Sequence, residues 1–119
     1  MSKMKGVPDI IIDDGSHYCE HIIKTFNVLF PYLKNGGIYV IEDTQTSYRE
    51  NSGGSSDLKA DFTSINYFKK LIDGINYMEY TDENYIPTYF DLNITSIHFY
   101  HNLIFIFKGE NNEPSCKEV

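Results

Sequence analysis

The stretch DIIIDDGSH, residues 9–17, decides the fold. Its three consecutive isoleucines form the short β-branched run that is typical of a strand buried on both faces in a parallel sheet. The acids and the glycine at positions 13–15 then break the run and predict a turn. The stretch therefore predicts a strand whose carboxyl end opens into a turn rich in carboxylates.

A helix and a second strand follow this turn. From Tyr18 onward apolar residues recur at helical spacing, and the sequence Asn-Gly-Gly at 35–37 predicts the end of the helix. Residues 38–41, IYVI, predict a second buried strand, which ends in Glu42 and Asp43. A strand, a helix and a strand with short connections indicate a right-handed βαβ unit.

The second half of the chain predicts another helix and a hairpin. Residues 44–56 are polar and predict a surface loop or a lid over a site. Apolar residues between 65 and 75 then recur at helical spacing. Residues 96–100 and 103–108 read as strands with only two residues between them, which predicts an antiparallel hairpin. The order β-α-β-α-β-β indicates an α/β fold of parallel strands that closes with an antiparallel hairpin.

Composition limits the size and the partners of the protein. The 119 residues suffice for one small domain, predicted at 1–109, followed by a polar tail at 110–119 that we expect to be flexible. A net charge of -7 argues against nucleic acid or an anionic membrane as the partner. Cys19 and Cys116 form no disulfide framework, which indicates reduced thiols in a cytoplasmic protein.

Two pairs of acids stand at the ends of the two predicted parallel strands. Ligands bind at the carboxyl ends of strands in open α/β sheets, and Asp13-Asp14 and Glu42-Asp43 both fall there. Neighbouring strands lie about 4.8 Å apart, so these carboxylates would repel one another unless a cation neutralised them. Oxygen ligands of this kind suit Mg²⁺. The alternative is that each acid only caps a helix or forms a turn.

His17 lies on the same predicted rim, and it permits two further hypotheses. A histidine there can act as a general base near neutral pH, or it is simply an exposed residue at the start of a helix. Residues 17–21, HYCEH, also match the H-x-x-E-H signature of zinc proteases. In that hypothesis His17 and His21 bind zinc, Glu20 is the base, and Glu79 or Glu83 completes the site.

Several of these stretches together resemble a known family, the metal-dependent sugar O-methyltransferases of macrolide biosynthesis of the mycinamicin 2''-O-methyltransferase type. The resemblance covers roughly residues 9–109; it is specific over 9–48 and loose over 49–95. The stretches that carry it are residues 9–17, 20–21, 29–33, 36–43 and 46–48, with the hairpin residues 96–100 and 103–107.

The resemblance implies a Rossmann-like class I S-adenosylmethionine-dependent methyltransferase fold, of which this chain supplies the C-terminal half. Asp14, Glu42 and Asp43 match the Mg²⁺ ligands of the family, and His17 matches the base that takes a proton from a hydroxyl of a sugar or natural product. Asp13 and Gly15 would lie beside the cofactor, S-adenosylmethionine.

The sequence departs from the family in one respect. No glycine-rich G-x-G-x-x-G loop precedes Asp9, so we expect the half that binds the cofactor to be missing and the chain to be a fragment that is inactive alone. The edge of the strand at 9–13 would then be exposed, which predicts a homo-oligomer. The alternative function is a non-catalytic half-fold that serves oligomerisation or partner binding.

Overall fold

The computed structural model describes residues 6–15 and 17–115 of the chain, so Ser16 and Cys116 lie outside the described part. None of the helices in those ranges is long and apolar enough to cross a membrane. The strands and α-helices are β1 (Ile10–Asp13), α1 (Cys19–Leu29), β2 (Ile38–Glu42), α2 (Ser64–Ile75), α3 (Tyr89–Asn93), β3 (Ile94–Tyr100) and β4 (Leu103–Lys108). Short 3₁₀ helices lie at Phe30–Tyr32, Thr44–Tyr48, Glu50–Ser52 and Tyr77–Glu79.

The four strands form one mixed sheet in the order β1-β2-β4-β3. β1 pairs in parallel with β2, from Ile10 opposite Ile38 to Asp13 opposite Ile41. β4 is antiparallel to both of its neighbours. The predicted α/β fold, with a parallel first pair and a closing antiparallel hairpin, is therefore confirmed. The short helix α3 was not predicted, because its five residues are too few to show a helical period.

An aromatic cluster between α1 and the sheet forms the core. Phe26 is fully buried, and its ring packs edge-on against Tyr39 of β2 and Phe68 of α2, with ring centres 5.1 Å apart in both pairs. Edge-to-face pairs of this kind add to the stabilisation that burial of the rings provides. Phe26 therefore joins the two long helices to the parallel strands.

The buried side chain of Lys108 binds the backbone at the C-terminal end of the helical segment formed by α1 and the 3₁₀ helix Phe30–Tyr32. Its side chain is 6% exposed, and its Nζ donates hydrogen bonds to the carbonyls of Phe30, Pro31 and Leu33 at 3.3, 3.1 and 2.7 Å. The same ammonium lies 5.3 Å from the ring centre of Phe30 and 5.4 Å from that of Tyr89. The Phe30 carbonyl also accepts a hydrogen bond from the Leu33 backbone N–H at 3.0 Å. The buried ammonium satisfies carbonyls at the end of the helical segment, where the helix dipole is negative.

β1 is not buried on both faces as the isoleucine run predicts. Ile11 packs against the core, but Ile10 and Ile12 point to the opposite face and are each 57% exposed. Among residues 6–15 and 17–115, β1 is also the edge of the sheet and pairs only with β2. β1 is therefore an apolar strand that the described residues cover on one face only.

The polar segment 44–56, which the sequence predicts to be a surface loop, is exposed only in part. Ser47 and Gly54 are buried, and the Ser47 hydroxyl lies 2.7 Å from that of Ser64 at the start of α2. Ser47 also accepts a hydrogen bond from the Ile65 backbone at 3.0 Å. Because these hydroxyls are paired with one another, a serine-rich sequence can pack inside the protein.

Replacing Lys108 with methionine removes all three hydrogen bonds to the carbonyls while keeping a chain of similar length. We expect Lys108→Met to lower the free energy of unfolding by about 2–4 kcal/mol, because buried carbonyls lose a charged donor. Urea denaturation measures the change, with the exposed Lys69→Met as the matched control. Equal midpoints for the two variants would show that the buried ammonium does not stabilise the fold.

Candidate functional site

Three carboxylates meet where β1 and β2 end. One oxygen each from Asp14, Glu42 and Asp43 lies within 4.8 Å of the others, and this is the group of potential metal ligands found among residues 6–15 and 17–115. Asp14 directly follows β1, and Glu42 is the last residue of β2. The parallel pairing of the two strands therefore brings the predicted residues to one rim.

Asp43 adopts a backbone conformation that side-chain-bearing residues rarely take. Its φ is 60° and its ψ is 44°, in the left-handed region, where the cost for a residue other than glycine is about 1 kcal/mol or more. The following turn holds it there, because the Thr46 hydroxyl donates to the Asp43 carbonyl at 3.3 Å. The backbone thus turns sharply at Asp43, which carries the third of the converging carboxylates.

The electrostatics of the rim favour a cation. The pKa of Glu42 is raised, chiefly by the charge of Asp14 and further by partial desolvation and by Asp43. An ion held between these groups would remove that repulsion. Mg²⁺ prefers hard oxygen ligands at about 2.0–2.1 Å, which puts opposite oxygens about 4 Å apart. The three oxygens, which lie within 4.8 Å of one another, are close to this spacing.

His17 lies beside this group. Its Nδ1 is 3.8 Å from Asp43 Oδ2, and both side chains are partly exposed, at 54% and 41%. The structure thus brings His17 together with the three acids, as the sequence predicts.

Asp13 differs from the other three acids in its surroundings. Its side chain lies on the helix-covered face of the sheet, where burial raises its pKa and a hydrogen bond from the Gly15 backbone at 3.3 Å opposes the rise. Its Oδ2 is buried without a hydrogen-bond partner among the described residues. Asp13 and Gly15 are therefore adjacent to each other and to the rim, while Asp13 is not part of the group of converging ligands.

The H-x-x-E-H motif does not form a zinc site here. α1 begins at Cys19, so His17 precedes the helix while Glu20 and His21 lie in its first turn. The ring of His21 packs against Tyr18, with centres 5.5 Å apart. No histidine belongs to the group of potential metal ligands found in the described ranges. The two histidines therefore do not share the helical face that the zinc hypothesis requires.

Sequence analysis missed the contacts that hold the rim in place. Cys19, Ser47 and Ser64 are all buried, and the Ser64 hydroxyl lies 3.7 Å from the Cys19 sulfur as well as beside Ser47. These side chains join the start of α1, just after His17, to the turn that follows Asp43 and to α2. Serine and cysteine at these positions form no recognisable pattern, so these contacts could not be predicted from the sequence.

Comparison with known proteins gives close relatives over almost the whole chain, although no protein-family model matches it. Demethylmacrocin O-methyltransferase of Streptomyces fradiae is 47% identical over 110 residues, which are 91% of this chain and 28% of that protein. The 8-demethyl-8-alpha-L-rhamnosyl tetracenomycin-C 2'-O-methyltransferase of Streptomyces olivaceus is 42% identical over 108 residues, 90% of this chain and 28% of that protein.

A solved structure shows the same fold. MycE methyltransferase from the mycinamycin biosynthetic pathway, in complex with Mg, S-adenosylhomocysteine and mycinamycin VI, matches with a TM-score of 0.83 and 44% identity. The match covers 89% of this chain and 27% of that one. This chain thus spans about 28% of the length of the curated relatives it matches. In sequence and in fold, it corresponds to the C-terminal part of the macrolide sugar O-methyltransferases.

Proposed function

We propose that this chain forms the metal-and-acceptor side of a Mg²⁺- and S-adenosylmethionine-dependent O-methyltransferase that acts on a hydroxyl of a sugar or natural product. The observation that carries the proposal is the convergence of Asp14, Glu42 and Asp43 within 4.8 Å, with His17 beside them. It is supported by relatives named as sugar O-methyltransferases and by a matching fold solved with Mg and S-adenosylhomocysteine.

In this proposal each residue of the rim has one role. Asp14, Glu42 and Asp43 hold Mg²⁺, which supplies a Lewis acid that favours the alkoxide of the acceptor. His17 takes the hydroxyl proton, and its contact with Asp43 keeps the imidazole oriented for this step. The acceptor oxygen then forms a bond to the sulfonium methyl, the sulfur–carbon bond breaks, and the sulfur keeps the electron pair. Products are the methyl ether, S-adenosylhomocysteine and the proton on His17.

The described residues would contribute only part of the site for the cofactor. Asp13 and Gly15 are the residues we propose to contact S-adenosylmethionine, and they lie at the rim next to Asp14. The sequence has no G-x-G-x-x-G loop that would hold the rest of the cofactor. We therefore propose that these 119 residues by themselves do not carry out methyl transfer.

The exposed edge at β1 supports association with a second polypeptide. Within the described part of the chain β1 pairs on one side only, and Ile10 and Ile12 present an apolar surface beside that edge. Oligomerisation through β1 is the proposal for the isolated chain, with a second copy as the partner. The cytoplasm stays the predicted compartment, on the cysteine usage alone.

The metal site makes a prediction that needs no catalysis. We expect Mg²⁺ to bind the chain in isothermal titration, and Asp14→Asn together with Glu42→Gln to weaken binding at least tenfold, because two of three anionic ligands are neutralised. The exposed Glu83→Gln is the matched control and should leave the affinity within twofold. Unchanged binding in the double variant would disprove the ligand assignment.

The role of His17 can be measured in a chimera in which this chain replaces the matching segment of the demethylmacrocin enzyme. We expect His17→Ala to lower kcat about 10²–10⁴-fold, because a general base is lost, while the Mg²⁺ affinity stays within threefold. His21→Ala is the control, since His21 lies in the same motif and is not one of the grouped potential metal ligands. An equal loss of kcat in both variants would contradict the assignment of the base to His17.

Association through β1 is tested by light scattering during gel filtration. We expect a mass above the 13.8 kDa of one chain, and we expect Ile12→Lys to return the protein to that mass because a charge at the edge opposes pairing. Ile86→Lys, at a residue that is 83% exposed and distant in sequence from β1, serves as the control. A single chain at every concentration tested would argue against oligomerisation.

A further inference from the structure

The side chain of Gln45 lies against the carboxylate of Asp43, one of the three converging acids. Gln45 belongs to the 3₁₀ helix Thr44–Tyr48, which begins directly after Asp43. Its Nε2 donates a long hydrogen bond to Asp43 Oδ1, at 3.5 Å. None of the roles proposed for the rim involves this amide.

The chemistry of the two groups decides which end of the Gln45 amide faces Asp43. An ionised carboxylate only accepts hydrogen bonds, whereas a glutamine amide has a donor end and an acceptor end. Turning the amide over would place Oε1 against Asp43 Oδ1, so that two acceptors would face each other without a proton between them. The NH₂ end therefore faces the carboxylate, and the carbonyl end is turned away from it.

The carbonyl end of the Gln45 amide is buried without a partner. Its Oε1 is shielded from solvent and accepts no hydrogen bond among the described residues. A buried acceptor without a donor destabilises a fold, and an apolar side chain of the same length would avoid this loss. Within the described part of the chain the amide bonds only to Asp43, so the stability of the core does not explain a glutamine here.

Asp43 is contacted at both oxygens of its carboxylate and at its backbone carbonyl. The Gln45 amide lies at Oδ1, and His17 Nδ1 lies 3.8 Å from Oδ2. The carbonyl accepts hydrogen bonds from the hydroxyl and the backbone N–H of Thr46, at 3.3 and 3.5 Å. Thr46 thus holds the backbone of Asp43, while Gln45 limits the rotation of its carboxylate. Because a carboxylate oxygen has two lone pairs, the bond from Gln45 leaves room for a metal ion.

We infer that Gln45 is a positioning residue, which orients the Asp43 carboxylate for the metal ion and for His17. The inference rests on the proposed function, because it takes Asp43 to be a ligand. A residue that hydrogen-bonds to a ligand keeps it in the orientation that the ion requires, and its removal typically lowers metal affinity about 10–100-fold. Gln45 therefore raises the Mg²⁺ affinity without contacting the ion, while its buried carbonyl lowers the stability of the metal-free fold.

Replacing Gln45 with methionine tests this inference, because methionine keeps the length of the side chain and removes both ends of the amide. We expect Gln45→Met to weaken Mg²⁺ binding about tenfold in isothermal titration, through the loss of the contact that orients Asp43. The urea midpoint of the metal-free chain should stay equal or rise, since the unpaired Oε1 is removed. Asn27→Leu is the matched control: it removes an amide near the C-terminal end of α1 that bonds to Tyr67, and it should leave the Mg²⁺ affinity within twofold.

An NMR measurement reports on the contact itself. Gln45 is the only glutamine of the chain, so glutamine labelled with ¹⁵N at the side-chain amide gives a single NH₂ signal. We expect this signal to shift as Mg²⁺ is added, with the same midpoint as the calorimetric titration, because the carboxylate that accepts its hydrogen bond also binds the ion.

An unchanged Mg²⁺ affinity in Gln45→Met would overturn the inference. A loss of affinity together with a lower urea midpoint would also overturn it, since the side chain would then only support the fold. The same holds for an NH₂ signal that does not move as Mg²⁺ saturates the chain. Failure of the proposed metal site is distinguishable, because the unmodified chain would then bind no Mg²⁺, whereas binding that Gln45→Met leaves intact removes only the role of Gln45.

Discussion

The parallel pairing of β1 with β2 is the constraint on which both the core and the candidate site depend. Parallel strands must be joined by a crossover, and α1 is that crossover. Its return across the sheet buries Phe26 against Tyr39, which anchors the helix on the strands. The same pairing brings the carboxyl ends of the strands together, so Asp14 meets Glu42 and Asp43 at one rim.

The two ends of this βαβ unit carry opposite charge, and each is stabilised in a different way. At one end the Lys108 ammonium is buried against three backbone carbonyls, so its three N–H donors are satisfied inside the fold. At the other end three carboxylates converge with no fixed cation among the described side chains, and the left-handed backbone of Asp43 adds strain. Strain and repulsion at one rim of an otherwise well-packed unit are typical of a functional site.

The sequence allowed the βαβ unit and the hairpin to be predicted, because their signals are local. The β-branched runs at 10–12 and 38–41, and the glycines at 36–37, mark element ends without reference to the rest of the fold. The exposure of Ile10 and Ile12 could not be predicted, since it depends on which elements cover the sheet. The burial of Ser47 was also missed, because its partner Ser64 is distant in sequence.

The site was predicted in part for the same reason. The acids at the ends of the strands predict a rim of carboxylates. The resemblance to sugar O-methyltransferases implies which of them bind the metal and which residue is the base, so these residues could be proposed without the structure. Their approach within 4.8 Å, the contact of His17 with Asp43, and the unusual backbone of Asp43 are results of the three-dimensional fold.

The central claim is that one divalent cation binds at the rim formed by the ends of β1 and β2. Paramagnetic broadening by Mn²⁺, used in place of Mg²⁺, tests it most directly in the NMR spectrum of the chain. The account predicts that substoichiometric Mn²⁺ broadens the amides of residues 14, 15 and 42–44 first, and that excess Mg²⁺ restores them. Broadening centred on Glu20 and His21, or spread evenly over the acidic surface, would contradict it.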